Sequence, residues 1–236
     1  NIMKTQNYIE RIKNAMYPQG FQYDRWRTWR ISQLINRCGS NSLIVEIGSQ
    51  ERNTYGKIIN LEISLYPNVD IVADGCYLPF KDKSITGIIA RGVLEHVAMP
   101  QVIIQEIHRT LKNKGVLYLE VPFIQGFHAA PGDYQRYTLV GLEYLCCSFD
   151  KIESGVCGGP ASATAWILHE FLSQLFSLGN KWLKRKMNIL FGWICLPMKY
   201  LDFFICRNPS AWIISSGFYF LGEKTSKIAE VSKHRS

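Results

Sequence analysis

The sequence predicts an α/β protein, a three-layer sandwich in which helices cover both faces of a mostly parallel sheet. Between residues 42 and 79 lie three short apolar runs, at 43–47, 58–63 and 69–73, each ending in a carboxylate or a turn. Continuous Val/Ile-rich runs of this length suit strands buried on both faces, which parallel sheets require. ITGIIAR (85–91) and GVLYLEVP (115–122) repeat the pattern, with a helical stretch opened by Pro100 between them. A chain of 236 residues, 47% apolar and 19% charged, is globular and long enough to bury a core.

Taken in order, residues 7–17 read as a helix. A second helix spans 24–37, with Asp24 as N-cap and Cys38–Gly39 as the stop. Trp26, Trp29, Leu34 and Ile35 keep helical spacing there, which favours packing on the sheet over base stacking, so no nucleic-acid partner is expected. The strand runs at 43–47 and 58–63 lie closer together than the dozen or more residues a parallel crossover normally takes, so the first crossover is shortened. After the strand at 85–91 come a short helix at 92–97 and a helix from Pro100 to about Lys114, ended by Gly115. Thr138 caps a helix through about Cys147, and a sixth strand follows at 151–158.

The final third is an addition. Residues 162–178 form an amphipathic helix. The basic stretch 181–186 then leads into an apolar run of ten residues at 189–198, too short for a bilayer, which needs about twenty. Pro197, Lys199 and Asp202 argue further against a span. The stretch reads equally as a helical cap over a site or as a basic amphipathic surface on a membrane. Residues 211–224 read as one or two strands, an antiparallel hairpin at the sheet edge. The expected organisation is a single domain over 1–236: N-terminal helices at 1–40, a binding core at 41–160, the helical insertion at 161–208 and C-terminal strands at 209–224.

Charge is unevenly placed within the net +8. Residues 1–40 hold seven Lys/Arg against two Asp/Glu, residues 41–178 ten against fourteen, and residues 179–236 ten against three. A mildly acidic middle between basic flanks suits contact with an anionic lipid or glycan. Seven cysteines with no C-x-x-C pair and no metal-ligand spacing read as reduced thiols of a cytoplasmic protein, and no metal site is expected. No signal peptide is visible.

Ligands of open parallel sheets bind outside the carboxyl ends of the strands. Glu46, Glu62 and Asp74 lie at or near three such ends, where a nucleoside needs acceptors for its ribose diol and exocyclic amine. The succession EIGS, LEIS, ADGCYLPF, ARGVLEHV and EIHRTLKNKGVLYLEVP resembles the class I S-adenosylmethionine-dependent methyltransferases, closest to the type 11 kind, over residues 43–145. The resemblance implies a Rossmann-like, seven-stranded sheet and S-adenosylmethionine as cofactor. Glu62 would accept from the ribose hydroxyls with Ile63 beside it, Asp74 from the adenine amine, and Gly75 would offer a backbone N–H. Gly48 allows close approach of the amino-acid end, Ser49 adds a hydroxyl, Glu46 binds the ammonium through water, and Arg91 lies near the sulfonium and carboxylate. The chain departs from the usual G-x-G-x-G, because Gly48 is followed by Ser49, Gln50 and Glu51.

The long loop 122–138 gathers His128, Asp133, Tyr134, Arg136 and Tyr137 at the same sheet edge. It resembles the "H..P.Dy.R.T" segment of methyltransferases that accompany polysaccharide-biosynthesis enzymes. That implies His128 as general base and Arg136 as the group orienting the acceptor, with Asp133 in the same catalytic set; the alternative is that Asp133 and Arg136 pair to hold the loop while His128 is incidental. His96 reads as structural. The function expected is O-methylation of a sugar or lipid-linked glycan, with peripheral contact at the inner face of the membrane. The competing reading is a non-catalytic scaffold at that surface. A dehydrogenase is disfavoured, since G-x-G-x-x-G is missing.

Overall fold

A computed structural model describes residues 20–48, 58–128 and 132–225. The helix expected at 7–17, and Ser49, lie outside the described residues. The chain divides into two compact units, one of Trp26–Phe123, Phe127–Cys157 and Gly217–Ser236, the other of Asn1–Arg25, Ile124–Gly126 and Gly158–Ser216.

The first unit opens with α1 (Arg27–Cys38), then β1 (Ile44–Ile47), β2 (Ile58–Glu62), β3 (Ile71–Val72) and β4 (Ile85–Arg91). A 3₁₀ turn (Leu94–His96), α2 (Pro100–Thr110), β5 (Leu111–Pro122), α3 (Leu139–Leu145), β6 (Phe149–Gly158) and, after the second unit, β7 (Gly217–Lys224) complete it. The sheet has seven strands in the order β3-β2-β1-β4-β5-β7-β6. β1 pairs in parallel with β2 and with β4, so the short first connection does join two parallel neighbours.

Alternation along the strands builds the three layers. Val45, Ile47, Ile88, Ala90, Leu117, Leu119, Phe218 and Phe220 share one buried cluster with Ile103, Ile104 and Ile107 of α2 and Leu142 of α3. Ile44, Ile89, Val116, Tyr118, Tyr219 and Leu221 share another with Ile31 and Leu34 of α1. Arg109 of α2 clamps the Leu-Pro-Phe segment. It donates to the carbonyls of Leu78 (3.1 Å) and Phe80 (2.9 Å) and to Asp82 (2.7 Å), while Glu106 accepts from the Leu78 N–H at 3.0 Å.

Several boundaries differ from expectation, four of them with a clear physical reason. α1 starts at Arg27 with Trp26 at its N-cap and no side-chain cap, so Asp24 does not cap it. The third strand shrinks to two residues, the length over which it finds partners in β2. α2 stops at Thr110 rather than Lys114, because Leu111 is claimed by pairing with Ile85 in the sheet. The C-terminal hairpin is absent. Ala211–Ile214 is a 3₁₀ turn, and β7 alone runs antiparallel to β5, inserted between β5 and β6 rather than at the edge.

The second unit holds α4 (Pro160–Ser177), α5 (Lys181–Cys195), a 3₁₀ turn (Leu196–Leu201) and α6 (Asp202–Ile205). Phe21, Ala165 and Cys195 form its buried centre, with Trp166, Leu172 and Met198 against them. The run Lys181–Ile205, 25 residues, is long and apolar enough to cross a membrane by length and composition, more than the ten-residue apolar run suggests. Its Asp202, 2% exposed, is committed elsewhere: it accepts from the N–H groups of Ala161 (2.8 Å) and Ser162 (2.9 Å) at the start of α4. That carboxylate satisfies donors that α4 leaves open, and it ties the run to α4.

Ile107, fully buried between α2 and the sheet, sets the first expected outcome. Ile107→Ala should lower stability by about 2–5 kcal/mol, the range for emptying a packed aliphatic site, measured as the shift in the urea unfolding midpoint.

Candidate active site

A cleft open to solvent lies across the carboxyl ends of β3, β2, β1 and β4. From the β3 side its wall is Asp74 and Gly75, then Glu62 and Ile63 after β2, Gly48 after β1, and Gly92, Val93 and His96 after β4. Backbone hydrogen bonds fix these ends: the Gly48 N–H donates to Leu61 O, Ala73 to Glu62 O and Gly92 to Glu120 O, at 2.9, 2.9 and 3.0 Å. Gly48 and Gly92 both have positive φ, +70° and +67°. At Gly48 a Cβ would stand 2.4 Å from Val93 Cγ2, so the turn closes only without a side chain.

Glu62, 9% exposed, accepts from the Ile63 N–H at 2.9 Å, and Asp74 accepts from the Cys76 N–H at 2.8 Å. Both carboxylates are thereby held at the cleft wall. Two acidic acceptors and glycine backbone along one concave wall suit a nucleoside with an amino-acid tail. Glu46, Gly48, Glu62, Ile63, Asp74, Gly75 and Arg91 were the described residues expected here. Five of them line the cleft; Glu46 and Arg91 do not.

The reason is strand alternation. Ile47 faces the cleft and the α2 side, so Glu46 faces α1, and Arg91 does the same on β4. The two are buried, 1% and 7% exposed, and pair with each other, Arg91 Nε donating to Glu46 Oε1 at 2.9 Å. They belong to a polar layer under α1. Within it Arg27 donates to Glu120 (2.9 Å), Tyr118 donates to Glu120 (2.7 Å), and Arg30 lies 4.0 Å over the Tyr219 ring. Burial pushes the Tyr118 phenol pKa up, which keeps it a donor.

Beyond β4, the turn Leu94–His96 and the loop around His128 meet. Glu95, 2% exposed, accepts from the Tyr134 N–H at its carbonyl, 2.8 Å. His96 Nδ1 donates to the Gly132 carbonyl. Nε2 of His96 and Nε2 of His128 each lie 3.9 Å from Glu95 Oε1, and the two rings meet edge-on at 5.4 Å. Asp133 holds the loop: its carboxylate takes Arg136 in a two-pronged ion pair, with Nη2 to Oδ2 at 2.6 Å, and accepts the His128 N–H at 2.8 Å. Arg136 Nη2 comes within 3.4 Å of His128 Nδ1. So His128, Asp133 and Arg136 are brought together as read, and Glu95 and His96 join them. Sequence reading missed that pair because the cluster closes only through a loop 32 positions on.

Residues 44–119 match a family described as "Methyltransferase domain". No curated protein sequence matches the chain significantly. Among solved structures, a Galdieria sulphuraria protein assigned as a sarcosine dimethylglycine methyltransferase is similar at TM-score 0.52 and 14% identity, over 87% of this chain and 85% of its own. The 1,6-didemethyltoxoflavin-N1-methyltransferase of Burkholderia thailandensis, with bound S-adenosylhomocysteine, gives 0.51 and 12%, over 82% and 76%. The [4+2]-cyclase SpnF gives 0.51 and 15%, over 89% and 86%. At such identities the likeness shows a shared fold, and the cyclase shows that this fold does not by itself dictate the reaction.

Arg136 beside Asp133 holds that carboxyl well below the usual range, against the opposing effect of burial. A depressed folded pKa contributes stability above the ordinary value of about 3.9 and loses it as pH falls below. The stability gap between wild type and Asp133→Asn should therefore narrow below about pH 4, followed by thermal unfolding across a pH series.

Proposed function

We propose that this class I S-adenosylmethionine-dependent methyltransferase methylates a hydroxyl of a sugar or lipid-linked glycan, working beside an anionic membrane. The observation that carries the site is the line of groups across successive strand ends, acidic at β3 and β2 and imidazole-bearing beyond β4. On this reading Glu62 takes the ribose diol, Asp74 and Gly75 the adenine edge, and Gly48 the amino-acid end. S-Adenosylmethionine supplies an already activated methyl group. The chain's own residues then align the acceptor and accommodate loss of its proton.

Acceptor handling falls to the loop that Asp133 anchors. Arg136 can donate to acceptor oxygens, and His128 is the group on which loss of the hydroxyl proton depends. Resemblance of this loop to glycan-associated methyltransferases supports a sugar acceptor. The test is mass spectrometry of glycans and polyprenyl-linked sugars incubated with isotopically labelled S-adenosylmethionine, where a labelled O-methyl product is expected. Calorimetry should show S-adenosylhomocysteine binding that Glu62→Ala weakens by about 1–3 kcal/mol, the cost of removing one partner of a buried polar contact. Wild-type protein that does not bind S-adenosylhomocysteine would favour the scaffold reading instead.

The membrane part rests on the second unit. Trp182, Trp193, Ile194 and Phe204 are 65%, 51%, 58% and 66% exposed, beside Lys181, Lys184, Arg185 and Lys186. A large uncovered apolar surface with a basic rim suits the lipid headgroup region. The bonds from Asp202 to the start of α4 support a run that lies along the surface rather than across the bilayer. Flotation with phosphatidylglycerol vesicles should recover the protein, with recovery falling as salt rises. Equal recovery on neutral phosphatidylcholine vesicles would mean that charge plays no part.

A further inference from the structure

From Glu95, His96 and His128 we infer a binding site for a divalent first-row transition-metal ion that activates the acceptor hydroxyl. Their ligand atoms all lie within 4.8 Å of one another. Both Nε2 atoms stand 3.9 Å from the same Glu95 oxygen. Ligands about 2.1 Å from a shared ion lie somewhat closer than this, so a small contraction of the His128 loop completes the set.

Two features point to a cation rather than to ordinary packing. Glu95 is buried, and its Oε2 has no hydrogen-bond partner. A buried carboxylate oxygen is destabilising unless a donor or a cation meets it. His96 donates through Nδ1 to the Gly132 carbonyl, which leaves Nε2 as the lone pair turned toward Glu95. Metal-binding imidazoles are oriented in this way, through a backbone or carboxylate acceptor at the far nitrogen. The far nitrogen of His128 lies 3.8 Å from Asp133 Oδ2 and 3.4 Å from Arg136 Nη2, so only His96 shows this orientation, and His128 must turn its Nε2 lone pair to the ion as the loop contracts.

Ligand chemistry selects the ion. Two imidazoles and one carboxylate suit Zn²⁺, Co²⁺, Mn²⁺ or Fe²⁺ and leave positions open, whereas Mg²⁺ and Ca²⁺ favour oxygen ligands. The site adjoins the cleft, since His96 lines it. The inference rests on the methyltransferase reading and specifies one step of it: His128 acts by holding the ion, not as a bare base. The acceptor hydroxyl binds at an open position, where the ion lowers its pKa and the proton leaves to bulk water. Its oxygen then forms the C–O bond to the methyl carbon as the C–S bond breaks, the electron pair returning to sulfur.

Titration of the metal-free full chain with Co²⁺, followed by visible absorption, is the test. One ion per chain is expected. His128→Gln, whose side chain is partly exposed, should keep the fold and weaken binding by at least about 10-fold, and Glu95→Gln should do the same. S-Adenosylhomocysteine binding, measured on each variant, should stay at the wild-type level. No Co²⁺ binding by wild type, or equal binding by His128→Gln and wild type, would overturn the site. Co²⁺ bound at this site without any S-adenosylhomocysteine binding would uphold the ion and sink the methyltransferase reading. Labelled-methyl turnover that a chelator leaves unchanged would uphold that reading and sink the ion's role.

Discussion

The buried ion pair between Glu46 and Arg91 is the interaction on which the arrangement of the site depends. It joins β1 to β4, the two strands from which the sheet extends in opposite directions. Charges this deep are tolerated only when paired, and removing one partner leaves the other uncompensated. The pair therefore pins both strand ends with their charges turned to α1. The residues that follow, Gly48 and Gly92, then turn on the opposite side, where the cleft lies. Where such a sheet reverses direction, loops on either side part and leave a crevice. Glu120, held by Arg27 and Tyr118, carries the same polar layer on to β5.

Transfer of an activated methyl group asks a protein for alignment more than for new charge. The loop around His128 is built to hold groups in place. Asp133 gathers Arg136 and the His128 backbone, Glu95 takes the Tyr134 N–H, and His96 takes the Gly132 carbonyl, so one loop is fastened from several directions. Little of this preorganisation depends on the Glu62 and Asp74 wall of the cleft, which rests on separate strand ends, or on the Leu78–Phe80 segment that Arg109 of α2 clamps.

The strands were legible because runs such as Ile44–Ile47 and Ile85–Arg91 are dominated by Ile and Val with few polar residues, as strands buried on both faces require. Less legible was where long-range pairing overrules local preference. Leu111–Lys114 reads as the last turn of a helix, yet Leu111 pairs with Ile85 and the helix ends sooner. Which strand β7 would pair with is carried by no local pattern. In the site, Glu62, Ile63, Asp74, Gly48 and Gly75 line the cleft as their strand-end positions suggest. Glu46 and Arg91 do not, and alternation relative to Ile47 held that answer in the sequence. Glu95 and His96 were hidden for another reason: their neighbour His128 comes from a different loop, and spacing along the chain says nothing of such meetings.

The placement of β7 also bears on how the chain reaches this state. β5 pairs with β7, Val116 against Glu223, roughly a hundred positions later, and β6 joins the sheet on the far side of β7. β6 therefore has no place in the sheet until the last strand has arrived, although its residues are made long before. Contacts of such separation carry a loop-closure cost that must be met before pairing rewards it, and they slow folding. During synthesis the parallel strands β1 to β5 can assemble early. The open edge of β5 then waits for β7, a period in which that edge is exposed to pairing with another chain.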